Sequence, residues 1–185
     1  AGSQVVILDA MEEWSQVRID EGLTGYILNQ YLNDYSAQEK KSNFKVPVYT
    51  NISREDDVCL VWHQVFEQSG NDKLESLLKE AKGVNTISPT WFSLTDNEGN
   101  FSSLASTSYV ENAHALGLEV WGLVDNFSPD MSTYELLSRT STRRNLIQNL
   151  LQAALEYDLD GINIDFESMD AELTGAHFVQ FIREL

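Results

Sequence analysis

The sequence predicts an α/β chain in which four βα units, the N-terminal half of a TIM (β/α)8 barrel, follow a small all-β piece. Two observations carry this. From Val58 onward, apolar runs of strand length alternate with stretches of helical periodicity in the order β-α-β-α-β-α-β-α. That order is the signature of a parallel sheet covered by helices. Before it, residues 1–32 hold only short β-type runs broken by turn residues.

Those runs are Val5–Leu8, Trp14–Ile19 and Thr24–Leu28, separated by Asp9–Glu13 and Asp20–Gly22, and their tight spacing predicts an antiparallel meander. Three strands bury little surface, so the meander is expected to be the end of a domain that begins earlier. Residues 33–57 are polar and irregular, with Lys40, Lys41 and Pro47, and are expected to form a linker. Val58–Val65 is a nearly continuous apolar run, expected of a strand buried on both faces. Asp72–Lys82 follows with Leu74, Leu77, Leu78 and Ala81 at helical spacing, Asp72 as N-cap, Glu75 as its reciprocal partner and Gly83 as terminator.

Val84–Leu94 is the second strand and ends at the turn Asp96–Gly99. Ser108–Leu116 reads as a helix with Ser108 and Glu111 as a capping box and Gly117 as its stop, and Leu118–Val124 as the third strand. Leu146, Ile147, Leu150, Leu151, Ala154 and Leu155 form one apolar stripe over a helix Arg143–Tyr157. Gly161–Phe166 is the fourth strand, and a last helix runs from about Gly175. A full barrel needs roughly 250 residues, so 58–185 is expected to be half of one, cut from a longer protein.

Charge and composition narrow the function classes. The 185 residues carry 12 Lys+Arg against 29 Asp+Glu, a net charge of −17, which disfavours nucleic acid as the partner because a polyanion is repelled. No apolar run approaches the roughly 18 residues of a membrane span. The single cysteine, Cys59, excludes an internal disulfide framework and a thiolate zinc cluster. The opening residues contain no signal-peptide pattern.

Chemistry concentrates in Asp160-Gly-Ile-Asn-Ile-Asp-Phe-Glu167. Alternate residues of a strand share a face, so Asn163, Asp165 and Glu167 point one way and Ile162, Ile164 and Phe166 the other. Three polar groups in a row on the inner face of a buried strand are costly unless they are paired or used. Two neighbouring inward carboxylates resist ionising together, which favours a retained proton, and a protonated carboxyl is what a general acid requires. The structural alternative is a polar barrel layer in which these groups pack against charged partners.

The pattern Asp-Gly-x-Asn-x-Asp-x-Glu on a fourth βα unit resembles the signature of glycoside hydrolase family 18, which includes chitinases and N-acetylglucosaminidases. Val58–Val65, Ile87–Phe92 and Val120–Asn126 resemble its bacterial spore-cortex and cell-wall branch. The resemblance implies hydrolysis of β-1,4-linked N-acetylglucosamine glycans, chitin or peptidoglycan, by a substrate-assisted retaining mechanism. Glu167 matches the general acid and Asp165 the residue that orients the substrate's acetamido group. No metal or organic cofactor is implied. A secreted or cell-wall location is implied as well, with a polysaccharide partner and neither nucleic acid nor a membrane span. The alternative on the same scaffold is a carbohydrate-binding protein without catalysis; retention of Asp165 and Glu167 argues against it.

Two departures from the family stand out. Asn163 occupies a position where many members carry Asp, which removes a like charge behind Asp165. The family's cleft tyrosine belongs to the absent half of the barrel, so the 185-residue chain alone is expected to be a poor catalyst. Among further candidates, Trp62, Trp91 and Trp121 lie on or near strand ends and are open to two readings, stacking on sugar or packing in the core. Trp91, nearest a C-terminal strand end, is the first candidate for stacking. Asp125 and Asn126 end the third strand and either bind substrate or close a turn. His63 reads as a satisfied interior histidine. Finally, Trp14-x-x-Val17, Gly22-x-x-Gly25-Tyr26-Ile27 and Tyr31-Leu32 resemble the last strands of a bacterial SH3-type domain, which implies a wall-binding module over residues 1–32.

Overall fold

A computed structural model describes residues 2–19, 24–33 and 57–185. The chain divides into two compact units, Ala1–Arg54 and Glu55–Leu185. The predicted turn at 20–22 and all but the end residues of the predicted linker at 33–57 lie outside the described residues.

In the first unit, β1 (Val6–Ala10), β2 (Trp14–Arg18) and β3 (Thr24–Leu28) form an antiparallel sheet in sequence order, the expected meander. The β1–β2 register slips between Ile7 and Asp9, where a bulge lets Asp9 pair with Gln16. Ser15 and Val17 are its buried residues among those described. Ser15 Oγ donates to Asn29 Oδ1 at 2.7 Å, and Asn29 Nδ2 donates to the Met11 and Glu12 carbonyls, tying the β1–β2 turn to the end of β3.

The second unit is a mixed sheet with helices on one side. Its parallel path is β4 (Leu60–His63), β5 (Thr86–Leu94), β7 (Glu119–Asp125) and β8 (Gly161–Asp165), and β6 (Phe101–Ser103) pairs antiparallel with the end of β5. The helices are α1 (Leu74–Leu78), α2 (Thr107–Ala115), α3 (Thr133–Ser138), α4 (Thr140–Tyr157) and α5 (Ala171–Glu184).

Several elements differ from expectation for local reasons. β4 is shorter than the apolar run around it and is an edge of the described sheet, so Val58 and Trp62 are exposed rather than buried. A 3-10 segment, Gln68–Lys73, takes the start of the predicted first helix, so Asp72 does not cap α1. The neighbouring Asn71 is spent instead on tertiary bonds, donating to Leu104 O and accepting from Trp91 Nε1, both at 2.8 Å. Ser106, not Ser108, caps α2 by accepting from Tyr109 N. The two serines are equally good caps in isolation, and packing of Tyr109 and Val110 selects the earlier start. β6 and α3 were not expected.

The core lies between the sheet's outer face and the helices. Ile87, Trp91, Phe92 and Leu94 of β5 and Val120 and Val124 of β7 meet Tyr109 and Val110 of α2, Leu136 and Leu137 of α3, Leu146 and Leu150 of α4 and Phe181 of α5. Phe166, just beyond β8, stacks on Phe181 with ring centres 5.9 Å apart and planes 8° apart. The β5–β6 turn docks on α4 through Gly99, whose φ of +90° no L side chain adopts comfortably, and a Cβ there would lie 2.7 Å from Leu146 N. Among the described residues no helix is long and apolar enough to cross a membrane.

Candidate active site

Strand period and register bring the polar residues together. β7 and β8 pair Leu123 with Asn163 and Asp125 with Asp165, while β5 and β7 pair Thr90 with Leu123 and Ser93 with Asp125. Paired residues in a sheet share a face, so Ser88, Thr90, Ser93, Asp125, Asn163 and Asp165 line the inner face, away from the helices. The outward set Ile162, Ile164 and Phe166 joins the core, as the alternation predicted.

Asn163 reaches past β7, and its Nδ2 donates to Ser88 Oγ of β5 at 3.1 Å. Asp165 ends β8, and Glu167 stands two residues beyond it, exposed, at the C-terminal edge of the parallel strands. Neither the Asp165 nor the Glu167 carboxyl is hydrogen-bonded to another described residue. Ser168, immediately after, has a φ of +54°, so the chain turns sharply at the acid.

Asp160, the first residue of the motif, works at the opposite end of the strand. Its Oδ2 accepts from Val120 N and lies 2.8 Å from His114 Nε2, pinning the entry to β8 against β7 and α2. Asp125 is 6% exposed and both its oxygens are occupied, by Ser93 Oγ at 2.8 Å and Phe127 N at 3.1 Å. Asn126 Oδ1 accepts from Glu167 N at 2.8 Å, and its Nδ2 donates to Glu167 O at 2.9 Å and Thr133 Oγ1 at 2.8 Å. Both residues are thus engaged within the protein.

The tryptophans separate by exposure. Trp62 pairs in register with Ser88 and is 68% exposed, which leaves its ring open on the polar face. Trp91 is 1% exposed, edge-on to Tyr109 at 5.0 Å and bonded to Asn71, so it has no free face for a sugar. Trp91 keeps the outward phase it shares with Ile87; β5 then advances two residues from Thr90 to Phe92 while β7 advances one, and this bulge sends Phe92 outward as well before Ser93 returns inward. Trp121 stands on the inner face, its Nε1 donating to Glu119 Oε2 at 3.0 Å and its indole against Gly161. Two aromatic residues beyond the sequence expectation, Phe66 after β4 and Phe127 after β7, are 81% and 57% exposed. Their position three and two residues past a strand end is the sequence signal that marks them.

His63 faces the helices, with Nδ1 2.8 Å from Tyr109 Oη. Burial, and secondarily the Lys73 charge, holds its pKa below the ordinary 6.5.

No family model matches the chain, and no curated protein does either. Solved structures do match. The C-terminal domain of a provisionally designated chitinase from Desulfitobacterium hafniense shares 19% identity over 69% of this chain and 41% of its own, with a TM-score of 0.60. A chitinase from Chromobacterium violaceum shares 17% over 69% and 40%, with a TM-score of 0.55. The spore cortex-lytic enzyme SleL of Bacillus cereus shares 18% over 68% and 31%, with a TM-score of 0.54. The fold is therefore four βα units of a (β/α)8 barrel. The chain spans 31–41% of the length of these structures.

Proposed function

We propose that residues 58–185 are the N-terminal half of a glycosidase barrel that hydrolyses β-1,4-linked N-acetylglucosamine glycans by the substrate-assisted retaining route. The observation that carries the reading is the pair Asp165, inward at the C-terminal end of a parallel strand, and Glu167, exposed two residues beyond it, whose carboxyls bond to no other described residue, at the place where barrel active sites are built. The fold likeness to chitinases and a cortex-lytic enzyme supports the same reading.

In this mechanism Glu167 gives its proton to the glycosidic oxygen as the bond to the anomeric carbon breaks. The carbonyl oxygen of the substrate's acetamido group attacks that carbon and forms an oxazolinium ion. Asp165 holds the acetamido N–H and stabilises the positive charge. The Glu167 carboxylate then takes a proton from water, which attacks the same carbon and opens the ring with retention. Asn163, tied to Ser88, lines the face behind Asp165 without adding a charge. Trp62, open beside this face, is the stacking candidate in place of Trp91, and Phe66 and Phe127 extend the aromatic rim. Asp125 and Asn126 serve as supports of the strand ends rather than as substrate ligands.

The meander of the first unit is in keeping with an SH3-type wall-binding module over residues 1–32, joined by the 33–57 segment to the barrel. A secreted or wall-associated protein acting on peptidoglycan or chitin follows from this reading. The test is Glu167→Gln in the natural full-length protein, assayed for release of reducing ends from chitin oligomers and from peptidoglycan. The expected result is a loss of at least about 1,000-fold in kcat with substrate binding kept. Hydrolysis unchanged in the variant overturns the assignment, and binding without hydrolysis by the unaltered protein converts it to a carbohydrate-binding role.

A further inference from the structure

We infer that Asn126 is a positioning residue that fixes the backbone of Glu167, with Thr133 fixing the orientation of the Asn126 amide. The inference rests on Glu167 being the acid of the proposed reaction and adds a residue through which that acid is held.

The β7 and β8 ladder ends at the pair Asp125–Asp165. Beyond it the two chains no longer bond main chain to main chain, yet Glu167 lies two residues further on. The Asn126 side chain spans this gap. Its Oδ1 accepts from Glu167 N at 2.8 Å and its Nδ2 donates to Glu167 O at 2.9 Å. One side-chain amide therefore replaces the rung that a third residue pair would have supplied, and it satisfies both polar backbone groups of the residue it holds.

The amide is itself held. The second Nδ2 hydrogen goes to Thr133 Oγ1 at 2.8 Å, in the first turn of α3. That turn is anchored in its own right: Ser132 Oγ caps Glu135 N, and Ser132 N donates to Asn97 Oδ1 in the β5–β6 turn at 2.6 Å. The arrangement has a single polarity, because Glu167 N requires an acceptor and Glu167 O a donor, so an amide fits where a carboxylate does not. Ser168, at φ +54°, shows what the clamp works against: the chain leaves Glu167 through a backbone conformation that an L residue adopts only at a cost. The result is an acid whose main chain is held from outside while its carboxyl stays free.

The experiment compares Asn126→Ala, Asn126→Asp, Thr133→Val and Thr133→Ser with the unaltered natural full-length protein, each checked for folding by its thermal melt. Two measurements are made: amide exchange at Glu167 by NMR without substrate, and kcat and KM on chitin oligomers. In the unaltered protein the Glu167 amide is expected to be protected. Asn126→Ala speeds its exchange about 10-fold or more and lowers kcat about 10- to 100-fold with KM within about 3-fold. Asn126→Asp keeps the acceptor but sets a carboxylate oxygen against Glu167 O, and also lowers kcat. Thr133→Val shows a smaller effect of the same sign, and Thr133→Ser restores it. A Glu167 amide that exchanges equally fast with and without Asn126 overturns the inference, as does a rise in KM at constant kcat, the mark of a substrate ligand. If the unaltered protein hydrolyses nothing while Asn126 still protects the Glu167 amide, the glycosidase reading fails and the clamp stands.

Discussion

Asn163 of β8 hydrogen-bonds Ser88 of β5 across the intervening β7, its Nδ2 3.1 Å from the serine oxygen. Ser88 is fully buried, so this bond is a tie across the inner layer of the sheet. The asparagine donates here, whereas an aspartate at 163 could only accept, with the serine hydroxyl turned round to give its proton. Asn163→Leu strands a buried hydroxyl and is expected to destabilise the protein by about 1–3 kcal/mol. Ser88→Ala made in the same background recovers part of that loss, and a urea-melt double-mutant cycle reads the coupling. Under the proposed glycosidase reading, Asn163→Asp in the natural full-length protein is expected to keep release of reducing ends from chitin oligomers, since Glu167 is untouched, while adding a charge behind Asp165.

The two tryptophans near the cleft are expected to behave oppositely. Trp91→Phe removes the donor to Asn71, itself 7% exposed, and is expected to cost about 1–3 kcal/mol while leaving oligosaccharide affinity unchanged. Trp62→Ala is expected to leave the melt within about 0.5 kcal/mol and to weaken oligosaccharide binding roughly 10-fold. Calorimetric titration beside thermal melts separates the two, and a Trp91 variant that loses affinity without losing stability would contradict its burial.

Stability is expected to fall in two steps on acidification. His63 is held below its ordinary 6.5 by burial, with Lys73 adding to the effect, so the unfolded chain binds the proton more readily. Its contribution is complete above 6.5 and is lost as pH falls through the lower folded value. Glu184 is held below its ordinary 4.5 chiefly by hydrogen bonds from Arg143, whose Nε and Nη2 bind its two oxygens at 2.9 and 3.0 Å. Stability from this pair is present above 4.5 and lost as pH falls further. Melts across this range should therefore lose the upper step in His63→Gln and show a smaller lower one in Glu184→Gln, where Asp96, held low by the Asn100 side chain, still contributes. An unchanged profile in either variant contradicts the assignment.

Much of the fold was legible because patterning is local. The four strand-like runs, the helix at α4 and the inward phase of Asn163 and Asp165 depend only on whether the chain repeats at two residues or near four. The full α4 stripe does not hold, because Leu151 and Leu155 are 50% and 85% exposed and the buried face runs through Thr142, Arg143, Leu146, Leu150 and Ala153. The caps were less legible: Ser106 and Ser108 both suit a helix start, and which one serves depends on where Tyr109 packs. The β5–β6 hairpin is not legible in the sequence because Phe101–Ser103 is too short to carry a period of its own.

The sequence by itself determined the alternation of strand and helix, the polar inner face of β8 and the placing of a carboxyl group, Glu167, two residues past its end. Tertiary structure decided which neighbours those residues meet. Strand phase puts Trp91 on the helix side with Ile87, and the bulge beside it, which exists only relative to β7, sends Phe92 there too and returns Ser93 to the inner face. Asn126, which linear position marked as a substrate ligand, is bonded to a residue 41 positions away. Side-chain periodicity is written into each strand, but register is a relation between strands, and no single segment contains it.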